Sequence, residues 1–161
     1  MMNILKVLLL ISIFSISNTA NSQDLLNERI RKIPEKKRSI FFKKGIFHST
    51  NSNTSSVLKS IRHGNGSSRG YERLVFDFKT KEAPRVYGYK SEKENKIYID
   101  FFKTKLDKKV GSFGTSKLVK KVDFYPVGDD TLSAELVISG QHSIDVFTLT
   151  NPGRLVIDIK K

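Results

Sequence analysis

Apolar and polar residues alternate with a period of two over several short stretches of this chain, and one such phrase is written three times. Arg73-Leu74-Val75-Phe76-Asp77-Phe78, Lys96-Ile97-Tyr98-Ile99-Asp100-Phe101 and Arg154-Leu155-Val156-Ile157-Asp158-Ile159 each read basic, apolar, apolar, apolar, Asp, apolar. A strand sends successive side chains to opposite faces, so the phrase resolves into two sets. Leu74, Phe76 and Phe78, Ile97, Ile99 and Phe101, and Leu155, Ile157 and Ile159 are all large and apolar, and predict a core. The opposite set is Arg73, Val75 and Asp77, Lys96, Tyr98 and Asp100, and Arg154, Val156 and Asp158. Asp is disfavoured within strands, so its return at one offset needs a reason. An outward face on which carboxylates sit opposite basic groups of neighbouring strands supplies it, at about 0.2–1 kcal/mol per pair.

The same reading predicts about eight short strands, over residues 57–63, 71–79, 85–90, 96–103, 118–125, 132–139, 143–148 and 154–159. Within them Val119, Val122 and Phe124, and Leu132, Ala134, Leu136 and Ile138, are the expected buried positions. Residues 64–70, rich in Gly and Ser, read as a loop, residues 105–109 as a polar connection, and Gly128-Asp129-Asp130 and Gly140-Gln141 as turns. Asn151-Pro152-Gly153 has Pro and Gly in the order a type II turn prefers. No helical period is present after residue 57. Short alternating strands with turn signals at this spacing predict an all-β sandwich or barrel.

Upstream, the pattern changes. Lys6 and a run from Val7 to Ile16, interrupted by Ser12 and Ser15, precede a small-residue stretch ending Ala20-Asn21-Ser22. The run is too short for a bilayer, which needs about 20 residues, and fits a signal peptide over residues 1–22 cleaved before Gln23. Residues 23–56 read as a basic, flexible extension and linker. Within it, Asp24 to Lys32 has Leu26, Ile30 and Ile33 at helical spacing before Pro34, which predicts a short helix. Glu35 to Lys44 is a basic cluster around Ile40, Phe41 and Phe42. It suits either a tether whose aromatics dock on the domain or a segment that touches an anionic membrane surface or an acidic partner. Ser49 to Ser56 reads as linker.

Charge and chemistry narrow the function. The net charge is +13, and residues 23–72, with 11 basic and 4 acidic side chains, are the more basic part. Such a balance suits nucleic acid, but an export signal argues for no nucleic acid and for the anionic polymers of the cell envelope. There is no Cys, hence no disulfide, thiol nucleophile or lipid-modified cysteine. His48, His63 and His142 fall in no compact metal spacing, and no Ser lies in Gly-x-Ser-x-Gly. Asp77, Asp100 and Asp158 could meet as paired carboxylates, but glycoside hydrolysis needs one raised pKa in a cleft. Basic neighbours on a flat face work the other way. The expectation is a protein that is not an enzyme and carries no cofactor or metal.

A family likeness then enters on particular residues. Val57-Leu58-Lys59-Ser60-Ile61-Arg62 followed by Gly70-Tyr71-Glu72-Arg73-Leu74-Val75-Phe76-Asp77-Phe78 resembles the opening of an AMIN domain. Val146-Phe147-Thr148-Leu149-Thr150-Asn151-Pro152-Gly153-Arg154-Leu155-Val156-Ile157-Asp158-Ile159 is similar to that family's closing pattern, and residues 96–101 fit its middle. Gly153 stands where the family usually has a second Pro or another residue. The resemblance covers residues 57–161. It implies a β-sandwich of two sheets that binds peptidoglycan and localises exported amidases or type IV pilus secretins; no amidase, secretin or glycan-binding repeat accompanies it here. On this reading the ligand-binding set is Arg62, Tyr71, Arg73, Asp77, Lys96, Tyr98, Asp100, Arg154 and Asp158, with Arg forking carboxylates and Tyr meeting sugar rings. The expected protein is soluble after signal cleavage, in the periplasm or cell envelope. An assembly subunit that binds a secretin or cell-division component is the alternative.

Overall fold

A computed structural model describes residues 28–34, 39–50, 54–66, 70–112 and 116–161; the expected signal segment lies outside them. Twelve strands follow in order: β1 (Ile30–Lys32), β2 (Ile40–Phe42), β3 (Gly45–His48), β4 (Ser56–Gly66), β5 (Tyr71–Phe78), β6 (Val86–Ser91), β7 (Lys96–Phe102), β8 (Thr104–Leu106), β9 (Val119–Val127), β10 (Thr131–Ile138), β11 (Ser143–Leu149) and β12 (Arg154–Lys160). They form two six-stranded sheets, ordered β1-β3-β6-β7-β10-β9 and β2-β11-β12-β5-β4-β8. The β1–β3 and β4–β8 pairs are parallel and the rest antiparallel. The protein is an all-β sandwich, as the alternation predicts.

The core lies between the sheets, where the sequence puts it. All nine apolar residues of the repeated phrase are buried, as are Val119, Val122, Leu132, Ala134, Leu136 and Ile138, and Phe124 packs against them half-buried. Phe76 and Phe78 of the second sheet meet Phe101 of the first, each at 5.4 Å between ring centroids. Phe124 presents its ring at 84° to that of Phe76. Aromatic pairs in such tilted and edge-on arrangements add about 0.5–1.5 kcal/mol beyond the area they bury.

Eight of the twelve strands are the expected ones; β1, β2, β3 and β8 are additional. The first three fall in the stretch expected to be an extension, and they belong to the sandwich. β1 pairs with β3 and β3 with β6, while β2 pairs with β11. Ile33, Phe42, Ile46 and Phe47 are buried, so this stretch closes one side of the sandwich. The described part of the expected helix is extended: Ile30, which helical spacing would bury with Ile33, is 63% exposed. Of the two readings of the basic cluster, docking is realised by Phe42, whose ring lies 5.6 Å from Phe47 and under the Arg31 guanidinium at 4.8 Å. Phe41 stays exposed.

Two turns also differ from expectation. Gly64, Asn65 and Gly66 continue β4, opposite Arg73, Glu72 and Tyr71, rather than looping. The Asn151–Pro152 peptide is cis and Asn151 has φ 54°, in place of a type II turn. Gly153 is required there by close approach, since a Cβ would lie 2.1 Å from the Glu82 carbonyl oxygen. β8 arises where the polar connection was expected. Lys103, at φ 49°, turns the chain out of the first sheet, and its carbonyl accepts from Ser56 N–H at 2.8 Å at the start of β4 in the second.

Candidate functional site

The repeated phrases do not share one outer face. The copies in β5 and β12 are neighbours in the second sheet, with Asp158 opposite Arg73 and Asp77 opposite Arg154. The copy in β7 belongs to the first sheet, so Lys96, Tyr98 and Asp100 point away from the other six candidates on the far side of the molecule. There Lys96 pairs with Glu135 at 2.8 Å, the Tyr98 hydroxyl donates to Glu94 at 2.9 Å, and Ser133 donates to Asp100. Period two assigns a residue to the inside or the outside of a sandwich; it does not say which sheet the strand joins.

On the second sheet the remaining candidates form a connected comb. Arg73 donates through Nε and Nη2 to both oxygens of Asp158, at 2.6 and 2.7 Å. Its guanidinium lies 5.2 Å from the Tyr71 ring centroid and 5.5 Å from that of Phe147. Phe147 is on β11, across β12 and opposite Val156, so the Arg73 head spans the intervening strand; Val156 is 2% exposed on this outward face. Arg62 on β4 forks Asp77 in the same way, at 2.6 and 2.8 Å, and Ser60 adds a third hydrogen bond at 3.0 Å. Arg154, though opposite Asp77, donates to the Pro152 carbonyl at 3.3 Å. Lys160 pairs with Asp145 at 3.1 Å and lies 5.3 Å from the Phe41 ring.

This geometry divides the work between the charges. Asp77 and Asp158 are buried beneath their arginines, whereas the Arg62 and Arg73 side chains remain 58% and 39% exposed. Burial opposes ionisation of Asp77, but the hydrogen bonds from Arg62 and Ser60 outweigh it and hold its carboxyl below the ordinary range. The forked bond to Asp77 raises Arg62, and that to Asp158 raises Arg73. A guanidinium carries five N–H groups, so each arginine keeps donors to spare after the fork. The carboxylates orient the comb, and the arginines and Tyr71 face outward.

The sequence reading missed Lys160, Asp145, Phe147 and Phe41. Asp145, Phe147 and Lys160 sit at outward offsets of their strands, but only the β11–β12 and β2–β11 registers bring them beside Asp158. It also missed Glu72, which is 2% exposed at a core-facing position of β5. Its carboxylate accepts from Ser116 Oγ at 2.6 Å, Leu118 N–H at 2.9 Å and Val119 N–H at 3.3 Å, and from His63 Nε2 at 3.2 Å. Leu118 and Val119 lead into the first sheet, so one carboxylate ties the two sheets together. Among the described residues, no group of three or more His, Cys, Asp or Glu side chains is placed to hold a metal ion. Comparison of the chain with protein-family models, with curated proteins and with solved structures finds no match.

Proposed function

We propose that this protein is an exported, non-enzymatic AMIN-like module that binds peptidoglycan through the outward arginine comb of its second sheet. The observation that supports this reading is the Arg73 site. Its guanidinium is fixed in place by Asp158 and flanked by two aromatic rings, yet remains open to solvent. Arg62 and Arg154 flank it on neighbouring strands. Forked donors suit carboxylates, and an aromatic ring beside them suits the face of a sugar. Peptidoglycan offers both, on a repeating polymer that a flat comb can follow. The site residues of this reading are Arg62, Tyr71, Arg73 and Arg154, with Asp77 and Asp158 positioning them.

The test is sedimentation of the protein with purified sacculi. Retention is expected to fall as salt rises, because exposed ionic contacts are screened within about 10 Å at 0.1 M. Charge reversal at Arg73 and Arg154 together is expected to abolish it. R154Q alone removes no ion pair among the described residues, and is expected to weaken retention while unfolding as wild type does. Retention of the reversed protein at the wild-type level would refute the comb as the site.

The outer face of the first sheet favours a second reading, as an assembly subunit of the cell envelope. Tyr87, Tyr125 and Val127 are 39%, 49% and 52% exposed there, the sort of surface an envelope protein partner would cover. That reading expects no retention on bare sacculi, and a partner recovered by crosslinking from cysteines placed at Tyr87 and Tyr125.

A further inference from the structure

We propose that a second site, for a phosphate ester, lies in the groove between β8, the start of β4 and the end of β5. The groove encloses about 410 Å³ and is lined by Lys79, Lys103 and Lys105 around Val57, with Ser55, Ser56, Thr80 and Asp130 at its margins. The backbone explains why the lysines converge. Val57 lies opposite Lys105 of β8 on one side, and on the other its carbonyl accepts from Lys79 N–H at 3.0 Å. Neighbouring strands are about 4.8 Å apart, so Lys79 and Lys105 rise on one face with Val57 as the floor between them. Lys103 enters from the corner at which the chain changes sheet, fixed there by the hydrogen bond to Ser56.

The charges are not cancelled within the groove. Lys79 bonds Asp107 at 2.7 Å, but Lys103 and Lys105 take part in no ion pair among the described residues. Asp130 is the acidic margin; its carboxylate accepts from Thr131 at 3.3 Å, and its backbone carbonyl accepts from Thr104 N–H. Lys59 at the β4 bulge and Lys108 and Lys109 after β8 add positive charge along the same edge.

The donor type selects the ligand. An ammonium is a compact point charge with three rotatable donors and no fork, so several of them match a tetrahedral anion better than a planar carboxylate. A phosphate ester carries about −1.5 to −2 charges and three acceptor oxygens, enough to engage all three lysines at once. Val57 and the lysine stems give its carbon skeleton an apolar wall. The groove therefore takes a soluble or polymer-borne phosphate ester. It stands about 20 Å along β5 from Arg73, at about 3.3 Å per residue, while Asp77, two residues before Lys79 on the same face, makes it adjoin the Arg62 and Arg154 end of the comb.

The experiment is an amide NMR titration of the full chain with sn-glycerol 3-phosphate at constant ionic strength. Saturable shifts confined to residues 55–57, 79–80 and 103–105 are expected. K103Q/K105Q should weaken binding at least about tenfold, and K120Q, a charge loss on β9 of the other sheet, should leave it unchanged. An equal response to acetate would overturn the phosphate assignment, and undiminished binding by K103Q/K105Q would overturn the site. Retention on phosphatidylglycerol vesicles without any response to the soluble ester would also overturn it, in favour of a membrane surface.

Discussion

At the scale of single residues, the recurrent Asp is readable from sequence as an outward ionic position, and the structure bears this out for Asp77 and Asp158. Which arginine each Asp takes is not readable. Asp77 stands opposite Arg154 but is forked by Arg62, because a long side chain from β4 reaches it diagonally. Glu72 is harder still: it occupies a core-facing offset, and three of its four donors, Ser116, Leu118 and Val119, stand more than forty positions away. Glu72 makes the sharpest prediction. Burial alone would push its carboxyl up, yet hydrogen bonds from Ser116, Leu118, His63 and Val119 hold it below the ordinary range. A carboxyl lowered by folding contributes stability above its unfolded pKa, near 4.3, and loses that contribution as pH falls through the lower folded value. E72A strands several buried donors and is expected to cost about 3 kcal/mol at neutral pH. In urea denaturation the gap between E72A and wild type should narrow as the pH is taken below that of an ordinary carboxyl. A gap that does not change with pH would refute the assignment.

At the scale of strands, the eight with a full alternation are legible, and β1, β2, β3 and β8 are not. Three or four residues complete barely one alternation, and the basic side chains of the β1–β3 stretch mimic a solvated tail. What places β3 is a glycine. Phe47 lies opposite Gly88, and a Cβ on Gly88 would stand 2.1 Å from Phe47 Cζ, so the ring rests on bare backbone. G88A is expected to cost about 2 kcal/mol by overpacking and F47A about 3–5 kcal/mol by leaving a cavity. The double variant should cost no more than F47A alone, since with the ring gone the added methyl meets nothing. Guanidinium denaturation of the three variants checks this, and simple additivity would show that the ring and the glycine do not meet.

For the whole molecule, the sandwich and its core are written in the sequence, but the allocation of strands to sheets is not. The three phrases look equivalent, and their separation follows from the crossings between sheets at residues 79–85 and 139–142. The single decorated face expected from sequence thus becomes two, back to back, and the candidate site contracts to the second sheet. The sealing role of the first three strands sets a prediction at this scale. Deleting residues 1–53 removes Ile33, Phe42, Ile46 and Phe47 from the core and bares the edges of β6 and β11. The remainder is expected to show no cooperative thermal transition by circular dichroism at concentrations where the full chain shows one. A sharp transition near that of the full chain would mean that these strands are ornament.

The place of β12 has a consequence for assembly. It follows β5 and β11 in the chain, yet it lies between them, so the second sheet has a gap in its middle until β12 is in place. Until then β5 and β11 each hold out a row of unused amide and carbonyl groups, and the comb lacks both Arg154 and the carboxylate that steadies Arg73. The outward charged rows of β5 and β12 therefore come into register in a single late step, the docking of β12 between two strands that precede it.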